Sequence, residues 1–149
     1  HNSATYEIVS EFSGKVLDVW CYGTEDGVRI VQHRYLGGTN QHWRLIPVAG
    51  RGDLYKIVSV FSGKVLDVWN KSIEDGAQIV QHRYLGGANQ HWRLVPVSSQ
   101  SDTVKIVSEF SGKVLDVWCY GTEDGVQIVQ HRYLGGTNQH WRLIWIHSS

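Results

Sequence analysis

The chain is poor in features that mark several large classes of protein. Its 149 residues contain no methionine, two prolines and two cysteines, and 14 basic residues balance 14 acidic ones. The sequence holds no cluster of lysine and arginine, which argues against nucleic acid or an anionic membrane as the main partner. No apolar run approaches the ~20 residues that span a bilayer, so membrane insertion is not expected.

The lack of methionine extends to position 1, where the chain begins with His1. No signal peptide is visible either. We expect a processed or recombinant product, or a module cut from a longer protein. The sequence does not fix the compartment, and a secreted or cell-surface-acting protein is expected over a strictly cytoplasmic one.

What the chain has in abundance is internal repetition. Residues 7–46 recur at 105–144 with two changes, Glu7 to Lys105 and Arg29 to Gln127, and 56–95 form a more diverged copy. A constant offset of 49 residues marks a repeated structural unit. Because one such unit would be marginal alone, we expect a single domain, 1–149, whose repeats at approximately 5–52, 53–101 and 102–149 share one core.

Each copy predicts four short strands separated by turns. In the first copy the strands are expected at 6–10, 16–20, 28–33 and 41–46, with turns at Ser13-Gly14, Glu25-Asp26-Gly27 and Gly37-Gly38. No stretch keeps a helical period. Three such units give twelve short strands in an all-β closed or sandwich form, joined by brief linkers at 47–53 and 96–102.

The segment 16–20, VLDVW, carries a specific expectation. If Leu17 and Val19 face the core, the alternation of a strand turns Val16, Asp18 and Trp20 outward. An acid and a tryptophan would then stand side by side on an exposed face in every copy.

The two cysteines, Cys21 and Cys119, occupy the same place in the first and third copies. Positions related by three-fold symmetry on the rim of a globule should lie too far apart for a disulfide, which needs Cα atoms within about 7 Å. Free thiols are therefore expected.

Each copy also contains LDV, then a DG turn, then NQHW. In this pattern the chain resembles the ricin B-type lectin repeat with its QxW signature, over residues 6–144. The signature is matched at Gln41-His42-Trp43, Gln90-His91-Trp92 and Gln139-His140-Trp141. The resemblance implies a β-trefoil, a six-stranded barrel capped by three hairpins with pseudo-threefold symmetry. It also implies a multivalent lectin that binds glycans, commonly of the galactose or N-acetylgalactosamine type, at one shallow pocket per repeat.

The resemblance transfers site residues position by position. The sugar-clamping acid of the family matches Asp18, Asp67 and Asp116. The asparagine before QxW matches Asn40, Asn89 and Asn138, and the adjoining glutamine matches Gln41, Gln90 and Gln139. The stacking aromatic falls on His33, His82 and His131, where the family usually has Trp, Tyr or Phe. A small change of register would replace these histidines by Tyr35, Tyr84 and Tyr133.

Two sets of tryptophans have different expected roles. The QxW tryptophans, Trp43, Trp92 and Trp141, are expected in the core. A second set either forms platforms at the pocket rim beside the acid or packs under the following loop: Trp20, Trp69 and Trp118.

No catalysis, cofactor or metal is expected. The sequence has no serine in a nucleophile-elbow context, and a zinc site from His33 and His42 lacks a third ligand.

The family allows a free-standing lectin or a module of a larger toxin or glycosidase. Two alternatives stay open: a protein-binding trefoil, and a symmetric scaffold that binds no sugar. The oligomeric state is not indicated.

The second copy departs from the others in one loop. Asn70-Lys71-Ser72-Ile73 replaces Cys21-Tyr22-Gly23-Thr24 close to the acid and the tryptophan. We therefore expect the second site to differ from the other two in affinity or specificity.

Overall fold

The computed structural model describes residues 4–147, and it contains twelve strands in three similar sets of four. The first set is β1 (Thr5–Ser10), β2 (Val16–Val19), β3 (Ile30–His33) and β4 (Trp43–Val48). The second set is β5 (Arg51–Ser59), β6 (Val65–Val68), β7 (Ile79–His82) and β8 (Trp92–Pro96). The third set is β9 (Thr103–Ser108), β10 (Val114–Val117), β11 (Ile128–His131) and β12 (Trp141–Ile146).

The only helical elements in residues 4–147 are six single turns of 3₁₀ type, two in each repeat. One follows the second strand of each repeat: Trp20–Tyr22, Trp69–Lys71 and Trp118–Tyr120. The other precedes the fourth strand: Thr39–Gln41, Ala88–Gln90 and Thr137–Gln139. None of the helical turns is long and apolar enough to cross a membrane.

The outer strands of the three repeats close into a six-stranded antiparallel barrel. The ring of pairings runs β1–β4, β4–β5, β5–β8, β8–β9, β9–β12 and β12–β1. The hairpins β2–β3, β6–β7 and β10–β11 cap it, each joined to the barrel through its first strand. This arrangement is a β-trefoil, which confirms the fold expected from the sequence.

The tryptophan of each QxW motif lies in the core, as predicted. Trp43, Trp92 and Trp141 have no exposed surface and belong to one cluster of buried side chains from all three repeats. Each indole N–H donates to a buried backbone carbonyl at 3.1 Å, that of Leu17, Leu66 or Leu115. The indole therefore fills the core and also ties the fourth strand of a repeat to its second strand.

The alternation expected along 16–20 is wrong for two of its outward residues. Val16 and Asp18 are buried, with 1% and 5% of their surface exposed, as are Leu17 and Val19. The strand is covered on both faces, because the turn at Thr39–Gln41 packs over the side that faces away from the core. The acid is therefore at the base of a cleft instead of on an open face.

Two predicted strand starts also shift by two residues. The third strand of the first repeat begins at Ile30 instead of 28, and the fourth begins at Trp43 instead of 41. In the second case Asn40 and Gln41 form the preceding turn, so that their side chains point back to β2. This departure from strand geometry is what brings the amides to the acid.

Candidate sugar-binding pockets

Each repeat has an open cleft between the end of its second strand and the loop before its fourth. The clefts have volumes of about 240, 460 and 220 Å³ in the first, second and third repeats. The first is lined by Asp18, Trp20, Cys21, Tyr22, His33, Leu36, Asn40 and Gln41. The third is lined by the equivalent residues, and the second also includes Gly86 and Gly87. We call these clefts pockets one, two and three.

The acid at the base of pocket one accepts hydrogen bonds from two amides. Asn40 Nδ2 donates to Asp18 Oδ1 at 3.3 Å, and Gln41 Nε2 donates to Oδ2 at 2.9 Å. Asn40 Nδ2 also lies 3.1 Å from the carbonyl of Val19. The same network recurs around Asp67 and Asp116. The carboxylate and the Asn40 side-chain oxygen are thereby fixed in place before any ligand arrives.

The glutamine of the motif organises the loop instead of facing solvent. Gln41 is 1% exposed, and its Oε1 accepts hydrogen bonds from the backbone N–H groups of Leu36 and Gly37 at 2.8 and 3.1 Å. Its Nε2 donates to Arg34 O at 2.9 Å as well as to Asp18. Gln41 therefore holds one wall of the pocket against the acid.

The opposite wall is a tight turn in an uncommon backbone conformation. Gly23 N–H donates to Trp20 O at 3.0 Å, and the two residues between them, Cys21 and Tyr22, have φ of 52° and 56°. The second repeat has Asn70 and Lys71 in the same conformation, with φ of 57° and 51°. Residues other than glycine adopt this region at a cost of about 1 kcal/mol or more, and such strain clusters at functional sites.

Each pocket is supported from behind by the DG turn of another repeat. In pocket one, Asp124 Oδ1 accepts the backbone N–H of Arg34 at 2.9 Å, and Asp124 Oδ2 lies 3.7 Å from His33 Nε2. The other ring nitrogen, His33 Nδ1, donates to Arg34 O at 2.9 Å. A Cβ on Gly125 would lie 3.4 Å from the Trp20 ring, so the DG turn packs directly on that indole.

Buried glutamines of β3, β7 and β11 hold these DG turns in place. Gln32 Nε2 donates to the carbonyls of Gly121 and Glu123 at 3.0 and 2.9 Å, and its Oε1 accepts from Ser13. Gln81 and Gln130 make the same contacts with the turns of the first and second repeats. The sequence interpretation missed this function, although the strictly repeated Ser-Gly…Gln pattern is a visible signal.

The electrostatics differ between the acid at the base of each pocket and the acid of the DG turn. Burial raises the pKa of Asp18 above its ordinary value, although the Gln41 hydrogen bond and His33 oppose the shift. Asp67 and Asp116 have pKa values raised by the same cause. In contrast, the backbone N–H of Arg34 lowers the pKa of Asp124, with His33 and Lys15 adding to the effect.

The structure brings together most of the residues predicted for the site. The acid, the rim tryptophan, the histidine, the asparagine and the glutamine line every pocket. The second set of tryptophans lines the pockets, as one of the two alternatives predicts, and each packs on the DG turn of another repeat instead of under the loop that follows it: Trp20, Trp69 and Trp118.

The predicted tyrosines lie outside the pockets. Tyr35 OH is 2.8 Å from His42 Nε2, and the equivalent Tyr84–His91 and Tyr133–His140 pairs are 2.7 Å apart. Different side chains, which sequence reasoning did not single out as ligand contacts, line the pockets instead: Tyr22, Lys71 and Tyr120, with Leu36, Leu85 and Leu134. The change from CYGT to NKSI in the sequence indicates where the second repeat differs, but it does not indicate that Tyr22, Lys71 and Tyr120 line the pockets.

The structure describes no metal centre in residues 4–147, where no group of three or more His, Cys, Asp or Glu could hold an ion. His42, considered with His33 for zinc, bonds to Tyr35 instead. Cys21 and Cys119 are free and exposed, as the spacing of the repeats predicts.

The barrel, its three caps and three similar polar pockets define the class of protein: a β-trefoil with the same polar cleft in every repeat. Residues 1–82 and 88–148 match the family described as ricin-type β-trefoil lectin domain-like. The chain belongs to this family, which confirms the resemblance seen in its repeats. A comparison with curated protein sequences finds no match.

Several solved structures share the fold. The designed three-fold symmetric protein ThreeFoil is 46% identical with a TM-score of 0.89, covering 94% of this chain and 97% of ThreeFoil. An exo-β-1,3-galactanase from Clostridium thermocellum is 41% identical with a TM-score of 0.91, covering 97% of this chain but only 31% of the galactanase. The Macrolepiota procera ricin B-like lectin, solved with lactose, is 22% identical with a TM-score of 0.82, covering 97% of this chain and 96% of the lectin.

Proposed function

We propose that this protein is a multivalent carbohydrate-binding protein that holds one galactose-type sugar in each of its three pockets. The observation that carries the proposal is the triple occurrence of one arrangement. In each pocket a buried carboxylate, held by an asparagine and a glutamine, faces a cleft walled by a tryptophan.

The chemistry of this arrangement suits a pyranose. A carboxylate such as that of Asp18 accepts hydrogen bonds from a sugar diol, and charge-assisted bonds are roughly twice as strong as neutral ones. The Asn40 amide can donate to and accept from the same hydroxyl groups. The tryptophan of each pocket offers an apolar face for the C–H side of the ring, although in pocket one Arg29 lies over the Trp20 ring at 4.6 Å from its centroid. His33 supplies a further polar contact.

The size of the pockets indicates how they would be used. Pockets one and three, at about 240 and 220 Å³, fall below the ~300–1,000 Å³ of ordinary ligand cavities. A site that holds a single monosaccharide should bind weakly, near millimolar or about −4 kcal/mol. Three sites on one rigid body can raise avidity by ~10²–10⁴ on a dense glycan surface.

The comparisons support the class of sugar. The related Macrolepiota procera lectin was solved with lactose, a galactose-containing disaccharide, and the galactanase acts on a β-1,3-linked galactan. Because the chain spans 31% of the galactanase, it would serve such an enzyme as an attached glycan-binding module. A free-standing lectin uses the same pockets without an attached enzyme.

The proposed role is binding without catalysis. Retaining glycoside hydrolysis needs a second carboxylate about 5–5.5 Å from the first. Among the residues that line pocket one, Asp18 is the only acid, and both of its oxygens are engaged by amides. The neighbouring carboxylate, Asp124, lies behind the wall, on the backbone N–H of Arg34 and beside His33. Incubation with an aryl β-galactoside should therefore release no phenol.

A second candidate function is a symmetric scaffold without sugar binding, and the likeness to a designed symmetric protein favours it. A scaffold needs the core and the contacts between repeats. It does not need a buried acid, which costs stability when it is not paired with a cation. The sugar titration below decides between the two.

The test is calorimetric titration with galactose, N-acetylgalactosamine and lactose, run beside glucose and mannose. We expect saturable, millimolar-to-micromolar binding of the galactose-type sugars with a stoichiometry near three. Silence with all five sugars would contradict the proposal and favour the scaffold.

Variants locate the binding. The triple variant Asp18→Ala, Asp67→Ala and Asp116→Ala should lose all binding while keeping its circular dichroism spectrum. The matched control is Tyr35→Ala, because this side chain lies outside the pocket lining. If Tyr35→Ala still binds sugar, the tyrosine is not the stacking platform. If Tyr35→Ala loses binding, the tyrosine is the stacking platform.

A further inference from the structure

Pocket two differs from its two counterparts in size and in one charged side chain. Its volume of about 460 Å³ is roughly twice that of pockets one and three. All three pockets share the acid, tryptophan, histidine, asparagine and glutamine, so these residues do not explain the difference. Two lining residues change in character: Asn70 stands where the other repeats have Cys21 and Cys119, and Lys71, the only one of the two with a charge, stands where they have Tyr22 and Tyr120.

The tyrosines close pockets one and three. The hydroxyl of Tyr22 abuts Gly38 so closely that a Cβ there would have no room. Its ring is also held edge-on by Phe61, with 5.0 Å between the ring centroids. Tyr120 is held in the same way by Gly136 and Phe12.

Lys71 leaves pocket two open. A Cβ on Gly87 would lie 3.6 Å from Lys71 Cε and 3.8 Å from Nζ, so the side chain reaches the loop that Tyr22 touches in pocket one without pressing on it. Phe110, which corresponds to Phe61, has no tyrosine ring beside it and is 39% exposed. The result is a larger pocket lined by an ammonium group, with the ring of Phe110 left exposed outside the lining.

The charge of Lys71 is not used by the protein itself. Within residues 4–147 no carboxylate lies within 4.0 Å of its ammonium group. The other five lysines are all engaged. Three contact the acids of the DG turns and two lie 4.4 Å above tyrosine rings: Lys15, Lys64 and Lys113, and Lys56 and Lys105.

We propose that pocket two is specific for an acidic sugar, a pyranose whose carboxylate pairs with Lys71 while its hydroxyl groups bind Asp67 and Asn89. The inference rests on the proposed function, since it assumes that the pockets bind sugars. The larger volume accommodates the charged substituent, and the ammonium supplies its partner at the mouth. Pockets one and three offer a neutral tyrosine at this position and remain sites for neutral sugars. The guanidinium of Arg29 near pocket one is already engaged, since it lies over the Trp20 ring at 4.6 Å from the centroid.

The probes are a matched pair, methyl galactopyranoside and methyl galacturonide, which differ only in having CH₂OH or COO⁻ at C6. Binding to each pocket is followed separately by NMR through the indole N–H signals of Trp20, Trp69 and Trp118. We expect galacturonide to bind at Trp69 about 5- to 10-fold more tightly than galactoside. This preference should shrink as salt rises, and it should be absent at Trp20 and Trp118. Methyl galactoside 6-sulfate is a third probe. If it binds at Trp69 more tightly than methyl galacturonide, the assignment of a carboxylate as the preferred acidic group is overturned.

Two substitutions test the residue. Lys71→Gln keeps the width of the pocket without the charge and should abolish the preference at Trp69. Tyr22→Lys should transfer the preference to pocket one. Because Tyr22 and Lys71 both have positive φ, we expect the variant to fold, and its melting temperature checks this. An unchanged preference in Lys71→Gln would overturn the proposal.

The titration of the wild-type protein separates this inference from the proposed function. If galactoside shifts the indole signals of Trp20 and Trp118 but galacturonide does not bind more tightly than galactoside at Trp69, this inference fails and the proposed sugar binding stands. Silence of all three signals would overturn both.

Discussion

The carboxylate of Asp124, in the third repeat, accepts a hydrogen bond of 2.9 Å from the backbone N–H of Arg34, in the first. Arg83 and Asp26, and Arg132 and Asp75, are joined in the same way. The DG turn of one repeat therefore supports the loop that walls the pocket of another. Each pocket is lined by residues of one repeat, but its loop wall is supported by the DG turn of another, which couples the three pockets to closure of the ring.

This relationship predicts a local effect of substitution in a DG turn. Asp124→Ala removes the acceptor for Arg34 N–H and the anion near His33, so the loop wall of pocket one should loosen. We expect sugar affinity to fall at the Trp20 signal and to remain at Trp69 and Trp118. Asp124→Asn is the control, because an amide oxygen can still accept the backbone hydrogen bond. Equal losses at all three tryptophans would contradict the coupling described here.

The raised pKa values of Asp18, Asp67 and Asp116 predict how sugar binding depends on pH. Burial favours the protonated form, so these acids take up protons at a higher pH than an ordinary aspartate with a pKa of about 3.9. Binding that needs the ionised form should weaken as pH falls through a midpoint above that value. Titration of affinity against pH measures the midpoint, and affinity that holds unchanged below about pH 3.9 would contradict it.

The same shift has a defined sign for stability. A folded-state pKa above the unfolded one means that the folded protein binds the proton more tightly. For these three groups alone, stability should therefore decrease as pH rises from the unfolded pKa to the folded pKa. The lowered pKa values of Asp26, Asp75 and Asp124 act in the opposite direction, since their contribution is lost as pH falls through their folded pKa values.

The positive φ of Cys119 predicts a stabilising substitution. Asparagine tolerates the left-handed region better than cysteine, and the second repeat already has Asn70 at this place with φ of 57°. Cys119→Asn should raise the free energy of unfolding by about 0.5–1 kcal/mol, by analogy with other substitutions that fit the native backbone. Cys119→Ser is the control, because serine removes the thiol but lacks the preference of asparagine for the left-handed region. Chemical denaturation that gives both variants the same gain would contradict the backbone explanation.

One contact between repeats is incomplete and can be restored. His140 Nδ1 lies 3.0 Å from Glu11, and His91 Nδ1 lies 2.9 Å from Glu109, but the corresponding partner of His42 is Val60. Burial lowers the pKa of His42. Val60→Glu should supply the missing acceptor and move this pKa upward.

NMR titration of the His42 ring in wild type and Val60→Glu measures the effect. Val60→Gln is the control, since it offers an uncharged acceptor and should give a smaller change. A pKa that does not rise in the glutamate variant would show that the residue at position 60 does not reach the ring.

Much of this fold could be predicted from the sequence, because the repeat itself fixes four strands per unit and places Trp43 in the core. The acid, asparagine and glutamine could also be grouped, since they lie in fixed positions of a recognised motif. The burial of Asp18 could not be predicted. Strand alternation assumes one open face, whereas the turn that carries Asn40 covers that face through contacts 22 residues apart.

The contacts between repeats were beyond the sequence for a different reason. A period shows that units recur, but it does not show which unit supports the pocket of which neighbour, as Asp124 does for Arg34. The place of Tyr22 in the pocket lining could not be predicted, because its turn has positive φ although it contains no glycine at Cys21 or Tyr22 to indicate this backbone conformation. Tyr35, which is closer to the QxW motif, was the more conspicuous aromatic residue.

The most direct test of the account is a crystal structure of the protein soaked with a galactoside at high concentration. We predict one sugar in each repeat, with hydroxyl groups on the carboxylates of Asp18, Asp67 and Asp116 and the ring against the adjacent tryptophan. A sugar bound elsewhere, or three empty pockets at a concentration well above millimolar, would contradict it.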